Sequence, residues 1–218
     1  MTVDMSLFLP VGTAPQLNGN GCIVHGARQS GKTSFAFQAV MTTVRNGGRV
    51  VVFCREQALY AKMPQPFTSW QELSDLALSR IEFAYVSSIA GVVQEVGSWL
   101  SANSVPTLLL VDDDGFADAG DVRRVALLLS MMENIVEWLG CFGQTFHYVL
   151  VTNSLPEWNL PEELPLAPFP LVWFLFTSSG SIHVRTKGVT ENQFGPLLVS
   201  WDGRLILLKP QDDRVLNA

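Results

Sequence analysis

Charge is scarce in this chain: only 16% of its 218 residues are Asp, Glu, Lys or Arg, and 14 basic residues face 20 acidic ones. A net charge of −6 supplies no general positive field to draw the protein onto nucleic acid or an anionic membrane, so any DNA contact has to be local or provided by a partner. Cysteines number three, Cys22, Cys54 and Cys141, with no CxxC pair, which excludes a disulfide framework and a zinc ribbon and fits reduced thiols in a cytosolic or nuclear protein. No run approaches the roughly 18 uninterrupted apolar residues of a membrane span, and Met1-Thr2-Val3-Asp4 lacks the basic start of a secretory signal. His25, His147 and His183 show no metal-ligand spacing, and no nucleophile elbow is present.

What is there is apolar: 48% of residues are hydrophobic and 10% aromatic, enough for a sizeable core in one domain. Residues 1–20 read as a loose leader whose one apolar patch, Leu7-Phe8-Leu9, is a candidate docking element. From residue 21 to 210 short apolar runs alternate with amphipathic stretches, as in an α/β fold with a largely parallel sheet, and 211–218 forms a tail. Strands are expected at Cys22 to His25, Arg49 to Cys54, Ile81 to Tyr85, Thr107 to Asp112 and Phe146 to Val151. Helices are expected over Thr33 to Asn46, from a capping box at Thr68-Ser69-Trp70-Gln71-Glu72 to Arg80, from Ser88 through Leu100, and over Asp121 to Leu139. Prolines 156, 161, 165, 168 and 170 then break the pattern. The chain closes with the strands Leu171 to Phe176 and Ser181 to Arg185 and a hairpin over Leu197 to Leu208, turning at Asp202-Gly203.

One motif carries chemistry. Gly26-Ala27-Arg28-Gln29-Ser30-Gly31-Lys32-Thr33 sits between an apolar strand and an amphipathic helix, which is what a phosphate-binding loop needs: glycines for close backbone approach, free helix amides and a lysine for the terminal phosphates. The nucleotide-binding set is therefore Gly26 to Ser34, with Ser34 extending the polar start of the helix. Thr33 is expected to present its hydroxyl to Mg²⁺, and Asp112, ending the strand Thr107 to Asp112, to supply the second ligand. Asp113 and Asp114 read as solvated turn residues. Glu56, just past the second strand, is the candidate water-activating base, and Thr152-Asn153 the candidate γ-phosphate sensor.

In order and spacing, the loop Gly26 to Thr33, Val50 to Glu56, Leu109 to Asp112 and Val149 to Asn153 resemble the RecA-like core of eukaryotic recombinases and their paralogues. Arg80 to Tyr85, Ala126 to Leu129 and the closing hairpin Pro196 to Pro210 look most like the small ATPase paralogue that partners a SWIM-type zinc-finger protein in the Shu complex. The resemblance implies a RecA-like P-loop NTPase core with a C-terminal antiparallel hairpin, bound ATP and Mg²⁺, weak Mg-dependent ATP turnover, and a nuclear role in homologous recombination and DNA repair. It implies assembly or stabilisation of recombinase filaments on single-stranded DNA, with a SWIM-type zinc-finger protein and a recombinase as partners. The segment Ser154 to Pro170, where the resemblance puts a second DNA loop, has Glu157, Glu162 and Glu163 and no Lys or Arg, so single-stranded DNA is expected to bind weakly. The other reading of the same loop is a small-molecule kinase or metabolic NTPase.

Overall fold

The computed structural model describes residues 2–9, 16–61, 63–102, 104–153, 169–177, 181–186, 197–201 and 205–208. The elements, in chain order, are β1 (Thr2–Asp4), β2 (Gln16–Asn18), β3 (Gly21–Gly26), α1 (Lys32–Arg45), β4 (Val50–Cys54), α2 (Glu56–Ala61), α3 (Asp75–Leu78), β5 (Ile81–Tyr85), α4 (Ile89–Val96) and α5 (Trp99–Ala102). They continue with β6 (Leu108–Asp112), α6 (Val122–Gly140), β7 (His147–Thr152), β8 (Leu171–Phe176), β9 (Ser181–Thr186), β10 (Leu197–Trp201) and β11 (Leu205–Leu208).

Nine strands form one sheet in the order β11-β10-β9-β8-β3-β7-β6-β4-β5, and β1 pairs with β2 separately. The six strands from β8 to β5 run parallel, while β9, β10 and β11 continue the sheet antiparallel. Parallel strands need covering on both faces, and the apolar runs of β3, β4, β6 and β7 are buried along almost their whole length. Side chains alternate between two cores. Cys22, Val24, Val52 and Leu110 pack toward α1, and Ile23, Val51, Leu109 and Leu150 toward α4 and α6.

Several local expectations are corrected. Within the leader's described residues the reading as loose chain does not hold: β1 and β2 pair antiparallel, and Phe8 is fully buried, its ring 5.2 Å from Phe35 and 4.8 Å from Phe174. Its docking partner is the chain's own core. The helix expected to run to Arg80 is divided into a 3-10 turn, Trp70–Glu72, and α3. Ser69 and Glu72 form the capping box of the first, and the Ser74 side chain, accepting from the Ala77 amide, starts the second. Ser88 does cap a helix, but the helix stops at Gly97, so Trp99 is buried in place of Leu100, which is exposed. The hairpin strands β10 and β11 pair from Trp201↔Leu205 outward. The Asp202-Gly203 turn, the segment 154–168 with Trp158, and the tail 211–218 lie outside the described residues.

Candidate phosphate-binding site

β3 and α1 are joined by a loop whose backbone only certain residues tolerate. Gly26 has φ 151, and a Cβ there would fall 2.7 Å from the Cβ and the carbonyl oxygen of Phe176. Gln29 at φ 62 and Gly31 at φ 93 are left-handed, and Gly31 stands at the N-cap of α1, where no side chain accepts from the first-turn amides. Those amides and the positive end of a 14-residue helix are what an anion requires. Ala27, Arg28 and Gln29 are exposed at the rim, Ser30 and Gly31 are half-buried, and Lys32 and Ser34 are buried.

The Lys32 ammonium donates to the Ala27 carbonyl, closing the loop on itself. Burial lowers its pKa, and the carboxylates of Asp112, Asp114 and Asp113 oppose that fall. The Ser34 hydroxyl accepts from the Gln65 amide at 3.0 Å and so fastens the segment after α2 onto the first turn of α1.

Thr33 and Asp112, 79 positions apart in the chain, meet at 2.7 Å: the hydroxyl donates to Oδ2. They meet because β6 ends two strands from β3, with β7 between, and Asp112 projects to the α1 face of the sheet. Burial raises the Asp112 pKa, offset by the hydrogen bonds from Thr33 and from the Asp114 amide, 3.2 Å from Oδ1. A hydroxyl and a carboxylate side by side are hard oxygen donors, and they fit Mg²⁺.

The remaining candidates are placed differently. Glu56 opens α2 at the same edge of the sheet, beyond β4, with its side chain exposed, and no hydrogen bond or ion pair joins it to Lys32, Thr33 or Asp112. Thr152 is 2% exposed and ends β7 beside β3, in register with His25. By alternation it shares a face with Leu150, away from α1. Asn153 is half-buried, and its amide reaches Asp114 Oδ1 at 3.4 Å, the same oxygen that lies 3.7 Å from the Arg28 guanidinium. Arg55 closes the loop after β6 from the other side, donating to the Gly115 carbonyl at 2.9 Å.

Among solved structures, the chain is similar to a KaiC-like protein from the hyperthermophilic archaeon Pyrococcus horikoshii OT3, with a TM-score of 0.54 over 88% of this chain and 91% of that one. The fold is RecA-like. At 11% identity the likeness extends to the architecture alone. Neither the protein-family models nor the curated proteins contain a match to this sequence.

Within the RecA-like core one residue stands apart from its expected setting. Asp113, read from the sequence as solvated, is 1% exposed, whereas Asp114 is exposed as expected. Burial pushes the Asp113 pKa up to about 7, against an opposing effect of the neighbouring Thr152 hydroxyl, and neither carboxylate oxygen has a fully formed hydrogen bond. The run of three aspartates was the only sequence signal, and it does not say which of them turns inward.

Proposed function

We propose that this chain is an ATP-binding recombination mediator. It uses a RecA-like P-loop core with weak Mg-dependent ATP turnover to assemble or stabilise recombinase filaments on single-stranded DNA, in the nucleus and in complex with a SWIM-type zinc-finger protein. The observation that carries the nucleotide half of this reading is the 2.7 Å contact with Asp112 made by Thr33 in the first turn of α1, a turn that no side chain caps. Magnesium bound there would neutralise charge on the terminal phosphates. Lys32 keeps its ammonium at the loop for phosphate oxygens, the glycines let the backbone wrap them, and Asp112 orients Thr33. Glu56 is the proposed base and Thr152 with Asn153 the proposed sensors. The recombination half rests on the resemblance in motif order and on the lack of basic residues between 154 and 170, which suits a helper better than an autonomous strand-exchange enzyme.

The test is affinity purification of the intact and Lys32→Ala proteins from cells, with mass spectrometry of what accompanies them and nucleotide titration of each purified chain. Recovery of a SWIM zinc-finger protein and a recombinase is expected. Lys32→Ala is expected to weaken nucleotide binding at least about 100-fold, since a buried cation facing phosphates is worth several charge-assisted hydrogen bonds. A solitary, active phosphotransferase or ATPase with neither companion would move the assignment to a small-molecule kinase or metabolic NTPase.

A further inference from the structure

Two carboxylates follow Asp112 in the chain, and each meets one member of the Thr152–Asn153 pair at the end of β7. The Asp113 amide donates to the Val151 carbonyl at 3.1 Å, and the Asp113 carbonyl accepts from the Phe116 amide at 2.9 Å, so the backbone is fixed with Asp113 beside Thr152. The Thr152 hydroxyl is near enough to oppose the rise in the pKa of the buried carboxyl, neither oxygen of which has a fully formed hydrogen bond. Asp114 is anchored by its own amide to Asp112 Oδ1 at 3.2 Å, and its Oδ1 takes the Asn153 side-chain amide at 3.4 Å. Thr152 has a single hydroxyl proton, and Asn153 has one side-chain NH₂ group. A γ-phosphate, which only accepts hydrogen bonds, would be sensed through those same donors.

We propose that Asp113 and Asp114 are specificity-determining residues that form a latch on the sensor pair, so that the γ-phosphate of a nucleoside triphosphate competes with two carboxylates for Thr152 and Asn153. The unassisted chain therefore distinguishes triphosphate from diphosphate poorly. This rests on the reading of the loop 26–34 as a phosphate site and of Thr152 and Asn153 as its sensors. Negative charge beside the site also disfavours the more charged nucleotide, so the experiment has to separate the latch from simple repulsion.

The affinities of a non-hydrolysable ATP analogue and of ADP, both with Mg²⁺, are measured by calorimetry on the intact chain and on Asp113→Asn and Asp114→Asn. Asp114 is exposed, so its variant folds even if the buried substitution disturbs the core. The intact chain is expected to favour the triphosphate by no more than about threefold, and each variant to raise that preference roughly five- to tenfold, the scale of one charge-assisted hydrogen bond. The decisive step repeats the variants in a Thr152→Val, Asn153→Ala background, where the gain is expected to vanish. A gain that persists there would mean repulsion alone and overturns the latch, as does an unchanged ratio in both variants or a strong triphosphate preference in the intact chain. Failure of the intact chain to bind either nucleotide removes the phosphate-site reading and the latch together, whereas binding with an unchanged ratio removes only the latch.

Discussion

Asp113 brings a carboxyl group into the interior, and burial, opposed by the Thr152 hydroxyl, lifts its pKa from the ordinary carboxylate range to about 7. With the folded value above the unfolded one, the native state keeps a proton that the unfolded chain has already released between about pH 4 and about pH 7. This group's contribution to stability therefore falls as pH rises through that window, and the full cost is present above it. Asp113→Asn is expected to raise unfolding stability by roughly 2–4 kcal/mol at pH 8, with the gain fading toward pH 4, in urea denaturation run at both pH values. Thiol chemistry gives a second prediction at this scale. Burial alone pushes the Cys22 thiol far above the usual range, burial with the Asp112 charge pushes Cys54 up to about 12, and Cys141 is exposed. An alkylating reagent at neutral pH is expected to label one thiol quickly in the native chain and three after unfolding, since only thiolate reacts. Rapid labelling of Cys22 or Cys54 would contradict this packing.

Strands and the longer helices were legible in the sequence wherever one period persisted. β3, β4, β5, β6 and β7 fall within a residue or two of the apolar runs that announced them, and α6 begins at Val122, capped by Asp121, whose side chain accepts from the Arg123 and Arg124 amides. What was not legible had no periodic signal. α2 buries none of its residues, so Glu56-Gln57-Ala58-Leu59-Tyr60-Ala61 shows no apolar face to read. The division at Leu73-Ser74 turns on which of several hydroxyls caps, a choice settled by tertiary packing of Leu73 and Ala77. The site was legible where chemistry is local, in the loop 26–34, and at Asp112, where a strand ends. Asp113 was not, because inward burial of a polar side chain depends on its neighbours in β7. The N-terminal segment provides the element-scale test. Phe8 fills a space between Phe35 on α1 and Phe174 on β8, so Phe8→Ala is expected to cost about 3–5 kcal/mol, read as a lower urea midpoint with little change in slope. A cost under about 1 kcal/mol would show that the segment is not seated there.

At the scale of the whole molecule, the proposed nucleotide loop lies in the middle of the sheet, between β3 and α1, and an occupied loop should hold the entire domain. A nucleoside triphosphate with Mg²⁺ at 100 times its dissociation constant is expected to add about 2.7 kcal/mol of stability, visible as a rise of several degrees in melting temperature, and Lys32→Ala should abolish that rise. An equal rise in the variant would mean that nucleotide binds elsewhere. The position of β3 also has a consequence for how the protein is made. Its two neighbours in the sheet, β7 and β8, lie more than 120 residues later in the chain, and Phe8 waits for Phe174. At roughly 5–20 residues per second, β3 leaves the ribosome about 6–24 s before β7, the first of its flanking strands, begins. During that interval a buried strand of the core is unpaired, for most of it the loop that the strand carries has no Asp112, and the wall at Phe176 comes later still. Nucleotide capture at the complete site must therefore follow synthesis of β6 and β8, and any factor that shields the nascent chain has to act on the stretch that carries β3.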